Sequence, residues 1–163
     1  VKSRGDLFGD REAVFSDDRE YRYTLWQWWD REKPYVMFVG LNPSTADEIT
    51  NDPTVRRCLD FAKRWDYGGF CMTNLFAYRA TAPQDMKAQQ DPIGPLNDKY
   101  LAEVSDYAGL VVVAWGCHGK YKDRDQEALT VLRGQLHCLG VNQDRTPKHP
   151  LYIKRDVEPI PYG

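Results

Sequence analysis

Three stretches of this chain are apolar almost throughout: Tyr35–Leu41, Phe70–Leu75 and Gly109–Trp115. Short unbroken runs of this kind suit strands buried on both faces. Between the first two lies a helix signature. Asp52 is a good N-cap, and Pro53 sacrifices no needed hydrogen bond at the first helical position. Val55, Cys58, Leu59, Ala62 and Trp65 then recur at helical spacing, until Gly68-Gly69 ends the segment. Upstream, Tyr21–Trp29 is aromatic and β-branched and reads as a further strand, followed by a turn over Asp30–Pro34. Downstream, a polar loop passing Pro83 and Pro92 leads through Pro95-Leu-Asn-Asp98 into a helix ending near Tyr107. Gly116–Lys120 turns into a helix running to about Leu132, Gln135–Gly140 forms a short strand, and Thr146–Tyr152 is a loop. Residues 1–18 are polar and read as an irregular lead-in, and the tail is rich in proline.

Strands alternating with helices predict a single α/β domain over 1–163 with three layers, α/β/α. Its central sheet is mainly parallel and four-stranded, with an N-terminal β extension. Each strand of that series ends in a polar or glycine-rich turn: Asn42, Asn74, Gly116 and the loop holding His149. Ligands bind at the carboxyl ends of strands in open α/β sheets, so these four ends are expected to meet at one edge. The stretch Val36–Asp47 is the sharpest case, because its apolar run stops at Gly40 and delivers Asn42 into a Pro-Ser-Thr turn. Plain turn formation is the competing reading for both Asn42 and Asn74.

Composition narrows the classes. A chain of 163 residues, 42% of them hydrophobic, can bury a proper core. Its apolar runs are far shorter than the about 20 residues a membrane span takes, and no secretory pattern opens it, so no membrane association is expected. Four cysteines without a close pair point to a reducing cytoplasm rather than a disulfide framework. Cys117-His118 and His137-Cys138 can be drawn as a four-ligand metal site. Adjacent residues on a strand point to opposite faces, however, so no metal is expected, and no other cofactor. A net charge of −2 does not suit a protein that coats DNA. Local basic groups remain as candidate phosphate contacts: Arg56, Arg57, Lys120, Lys122 and Lys148. Solvated helix or loop faces are their ordinary explanation.

The order Gly40-Leu-Asn-Pro-Ser44, then Asn74 at a strand end, then Trp115-Gly116, then His149-Pro150 resembles the uracil-DNA glycosylase superfamily. The mismatch-specific and single-strand-selective branches are the most similar. This resemblance implies that Asn42 positions the water attacking the sugar carbon, that His149 steadies charge on the departing base, and that Asn74 reads the base's polar edge. Ser44 stands where the classical uracil enzymes carry a tyrosine that excludes a 5-methyl group, so tolerance of C5-substituted pyrimidines is expected. Trp115 and His118 are further substrate-binding candidates. Asp47 and Asp52 are candidates for a carboxylate near the water, with turn and helix-cap roles as their local alternatives.

From Ala13 to Pro161 the chain also resembles a bacterial domain family of unknown function, number 1643 in its naming series. The motifs are Asn42-Pro-Ser-Thr-Ala-Asp47, Asp52-Pro-Thr-Val-Arg-Arg-Cys58, Asn74-Leu-Phe-Ala-Tyr-Arg-Ala-Thr81 and Ala114-Trp-Gly-Cys-His-Gly119. That family supplies no activity. The chain departs from the glycosylase pattern in three ways: Leu151 follows His149-Pro150, a long insertion follows Asn42, and no stacking aromatic is identifiable.

The expected function is hydrolysis of an N-glycosidic bond, releasing a nucleobase from DNA or from a nucleoside or nucleotide. The chemistry needs a positioned water, a donor for the developing negative charge and a site that excludes bulk solvent. A non-catalytic module binding a nucleobase or modified DNA in the same crevice is the rival, favoured by an amide at position 42. A hydrolase with Ser44 as nucleophile lacks the strained Gly-x-Ser-x-Gly turn.

Overall fold

The computed structural model describes residues 10–45 and 52–163. Its elements in chain order are β1 (Asp10–Phe15), β2 (Arg22–Trp28), β3 (Tyr35–Gly40), α1 (Pro53–Arg64), β4 (Gly69–Asn74), α2 (Pro83–Lys87), α3 (Asn97–Tyr107), β5 (Leu110–Val113), α4 (Arg124–Val131), β6 (Leu136–Cys138) and β7 (Ile160–Pro161). Every residue of β3 and of β4 is buried, which explains their unbroken apolar runs. Alternation still sorts the two faces of the sheet. Val36 and Phe38 pack with Val55, Cys58, Phe61 and Ala62 of α1, whereas Met37 and Val39 pack with Leu101 and Val104 of α3 and Ala128 of α4. Helices therefore cover both faces. On α1, Phe61 completes the buried stripe, while Leu59 and Trp65 lie only part-buried against it.

The sheet is mixed and seven-stranded, in the order β1-β2-β4-β3-β5-β6-β7, rather than the expected mainly parallel four-stranded sheet with an N-terminal β extension. Pairings β3–β4, β3–β5 and β5–β6 are parallel; β1–β2, β2–β4 and β6–β7 are antiparallel. Residues expected to be irregular thus supply β1, and the proline-rich tail supplies β7. In β1 the inward positions are Arg11, Ala13 and Phe15. A buried arginine at the first of them hides the alternation.

The helix expected to follow the Gly116–Lys120 turn and run to about Leu132 starts late. A 3-10 segment spans Cys117–Asp123, Lys122 and Asp123 adopt positive φ of 54° and 55°, and only then does α4 begin. This late start turns Arg124 inward, where its Nε donates to Leu75 O at 2.9 Å and its Nη2 pairs with Asp98 at 2.7 Å. Within the expected polar loop, Met86 is fully buried and anchors the short helix α2.

One irregularity bears directly on the site. β1 and β2 pair in regular register as far as Val14↔Thr24, after which Phe15 faces Arg22. Tyr23 is therefore an extra residue on β2, a β-bulge, and bulges re-aim the side chains beside them. Tyr23 stacks on Tyr100 of α3 at 5.2 Å between ring centroids. Arg22 falls beside Phe15 instead, on the α1 face. Among the described residues no helix is long and apolar enough to cross a membrane.

Candidate functional site

A crevice of about 980 Å³ opens where β3, β4 and β5 end, between the start of α1 and the loop that follows β6. All four expected strand ends line it: Asn42, Asn74, Gly116 and His149. Backbone hydrogen bonds bring them together, with Leu75 N donating to Gly40 O and Gly116 N donating to Pro147 O, each at 2.9 Å. Gly116 has φ of 74°, a conformation that a side chain disfavours, and it lets β5 turn against the His149 loop. Ser44, Trp115, His118 and Lys148 also line the crevice. Asp47 lies outside the described residues.

The remaining basic candidates are elsewhere. Arg56 is exposed on α1, and Arg57 Nη1 donates to Ile153 O at 2.6 Å. Lys120 approaches Asp144 at 3.6 Å, and Lys122 Nζ sits 5.5 Å from the Tyr121 ring centroid. None of these four is part of the crevice wall.

Asn42 holds a defined orientation. Its Nδ2 donates to Ala80 O at 2.9 Å and to Pro43 O at 3.2 Å, so both amide protons are engaged. Two carbonyl acceptors fix which end of the amide is nitrogen, and Oδ1 is left as an acceptor. Asn74 is the reverse. It is 3% exposed, and its Nδ2 is buried without a hydrogen-bond partner among the described residues. Its Oδ1 lies over Gly40, where a Cβ would come within 2.9 Å of it, so a side chain there would have to push the amide aside. The main chain at Asn74 is pinned in turn by Asn97, whose Nδ2 donates to Asn74 O at 2.8 Å. An unsatisfied buried donor costs about 1–3 kcal/mol, so Asn74 Nδ2 is a group that a ligand would satisfy.

His149 is prepared as a neutral donor. Its Nδ1 accepts from Leu151 N at 3.2 Å, which places the ring proton on Nε2 in the neutral form. Burial pushes its pKa below the usual 6.5, against the opposing pull of the Asp52 charge. Asp52 serves two partners. Its Oδ1 caps α1 by accepting from Val55 N at 2.8 Å, and its Oδ2 accepts from Ser44 Oγ at 2.9 Å. The helix cap is thus real, and the second oxygen ties the Asn-Pro-Ser turn to α1. His118 is exposed, with Nδ1 at 3.1 Å from Lys87 Nζ, where the ammonium donates. Trp115 is buried, and its Nε1 has no partner among the described residues.

A family model described as "Protein of unknown function (DUF1643)" matches residues 22–151. The chain belongs to this family. No curated protein and no solved structure matches it. The DUF1643 span takes in every residue of the crevice wall except Tyr152.

Tyr152 and Arg22 are among the wall residues that a reading of the sequence misses. Tyr152 is 82% exposed, and its ring, tilted by 49° to that of His149, has its centroid 5.6 Å away. Its signal was its position beside His149-Pro150. The other is Arg22, the first residue of the DUF1643 span. It looks like an ordinary strand-end arginine, and only the bulge at Tyr23 turns it into the wall. Among the described residues, no group of three or more His, Cys, Asp or Glu side chains is placed to hold a metal ion. Cys117 is exposed and Cys138 buried.

Proposed function

We propose that the crevice hydrolyses an N-glycosidic bond, releasing a nucleobase, C5-modified or damaged pyrimidines included, from DNA or a nucleotide. On this reading the domain is a variant of the three-layer uracil-DNA glycosylase type. The carrying observation is that one crevice pairs an acceptor-only amide, Asn42, with a neutral donor imidazole, His149. Asn42 Oδ1 accepts a hydrogen bond from the attacking water. The bond from C1′ to the base nitrogen breaks with its electron pair leaving on the base. His149 Nε2–H donates to the negative charge that develops there, and Asn74 Nδ2 donates to a base carbonyl. Water adds as hydroxyl at C1′, and its proton ends on the released base. Preorganised donors in a water-poor site carry most of the acceleration in this scheme. Asn42 accepts no proton in exchange, so general-base help worth ~10²–10⁴-fold is forgone.

That last point favours the rival, a module that binds the base without cleaving it. Each carboxylate oxygen of Asp52 already accepts a hydrogen bond, from Val55 N and from Ser44 Oγ, which holds this carboxylate to the helix cap and the turn. Incubation with single- and double-stranded DNA carrying uracil, hypoxanthine or C5-modified pyrimidines, beside free nucleosides, separates the two by mass spectrometry. Released base that disappears in Asn42→Ala, and rises in Asn42→Asp, supports the hydrolase. Retained binding with no release in any variant overturns it.

A further inference from the structure

We infer that Arg22 is a second ligand-binding group of this crevice, an oxyanion site that receives the phosphate ester of a nucleotide. Its assignment as an oxyanion site stands on geometry alone; that the oxyanion belongs to a nucleotide rests on the reading above.

The fold contains its own control. Arg124 is a buried arginine with a structural role, 1% exposed, and its guanidinium bonds to Leu75 O, Asp98 and Glu127. Arg22 is nearly as buried, at 3%, yet no described residue accepts a hydrogen bond from its guanidinium, and its Nε is enclosed without a partner. Among the described residues the strongest opposing charge felt by Arg22 is Asp52, which forms no ion pair with it and whose oxygens already accept from Ser44 and Val55. Arg79 and Arg11 add like charge to the same neighbourhood. Burying a charge without compensation is costly, and a bulge in the β1–β2 ladder is what places the side chain there. A guanidinium presents several N–H donors in a rigid fork that matches phosphate oxygens.

Position suits the assignment. Across the sheet the order β2-β4-β3 sets Arg22 at the start of β2, Asn74 at the end of β4 and Asn42 just beyond the end of β3. Strands are spaced by roughly 5 Å, so Arg22 stands on the order of 10 Å from the strand that delivers Asn42. A nucleotide covers this kind of span from phosphate to base. Lys148 lines the same crevice and adds positive charge.

The test is calorimetric titration of wild type, Arg22→Gln and Arg22→Lys with four probes. These are inorganic phosphate, 2′-deoxyuridine, its 5′-monophosphate, and a single-stranded oligonucleotide containing one uracil. Wild type is expected to prefer the monophosphate over the nucleoside by roughly tenfold or more, as a charge-assisted hydrogen bond implies. Arg22→Gln brings that ratio near unity. Arg22→Lys, which keeps the charge but loses the fork, gives an intermediate ratio and serves if Arg22→Gln does not fold. Equal affinity of wild type for nucleoside and monophosphate overturns the proposal, as does a preference that survives in either variant undiminished. Inorganic phosphate bound in an Arg22-dependent way, with no nucleoside bound, keeps the oxyanion site and removes the nucleobase reading. Preference for the monophosphate over the oligonucleotide assigns the oxyanion to a free nucleotide; the reverse assigns it to a polymer backbone.

Discussion

Gly40→Ala probes how Asn74 is held, and its outcome depends on whether Asn74 is there. Gly40 and Asn74 are register partners on β3 and β4. A Cβ at position 40 would lie 2.9 Å from Asn74 Oδ1, whereas ordinary contact begins at 3.4 Å, and its next neighbours, Met72 Cε and Thr73 O, are both at 3.8 Å. The conflict is therefore with the one amide oxygen, which has to move by about half an ångström inside a packed interior. Overpacking of this kind costs about 1–3 kcal/mol, and alanine's smaller unfolded-state entropy returns about 0.4–1 kcal/mol. The net expectation is a loss of about 1–2 kcal/mol, or a fall in Tm of roughly 2–8 °C for a chain of this size. In an Asn74→Ala background the obstructing oxygen is gone. Gly40→Ala is then expected to be neutral or to stabilise by up to about 1 kcal/mol. Thermal and urea melts of the four proteins in this cycle measure the coupling, expected at about 1–3 kcal/mol. Additivity within about 0.5 kcal/mol would refute the placement of the Asn74 amide over Gly40.

Three further outcomes concern the His149 loop. Burial holds the folded His149 below its usual pKa of 6.5, so the unfolded chain takes up the proton first. Stability is accordingly full above about pH 6.5 and falls as pH drops from there toward the folded pKa, a slope that His149→Gln should flatten. Asp52→Asn preserves an N-cap but removes the negative charge that raises His149, so an NMR titration should find the imidazole pKa lower still. A rise in that variant would contradict the assignment. Arg57→Ala removes the donor to Ile153 O and is expected to cost about 1–2 kcal/mol. Hydrogen exchange should quicken at Tyr152 and Ile153 while β3 stays protected; unchanged exchange there would mean that Arg57 does not secure the loop.

What the sequence determined by itself was written in neighbours along the chain. Asp52-Pro53 capping α1 and the apolar runs of β3, β4 and β5 are short-range signals, since caps and buried strands depend on residues a few positions apart. The meeting of Asn42, Asn74, Gly116 and His149 was also legible, because strands related by crossovers end on the same edge. Other features belong to pairs of elements. β1 was hidden because Arg11 and Glu12 interrupt its pattern and only the β2 partner completes it. The helix expected after the Gly116–Lys120 turn starts late because Arg124 finds its acceptors just beyond β4 and on α3, far away in sequence. The second role of Asp52, toward Ser44, needed the turn after β3 to fold back on α1. Arg22 depended on tertiary structure most of all. Which face a side chain takes after a bulge is set by the register of two strands, and whether its charge is answered is set by what packs around it. A single chain read in order holds neither fact.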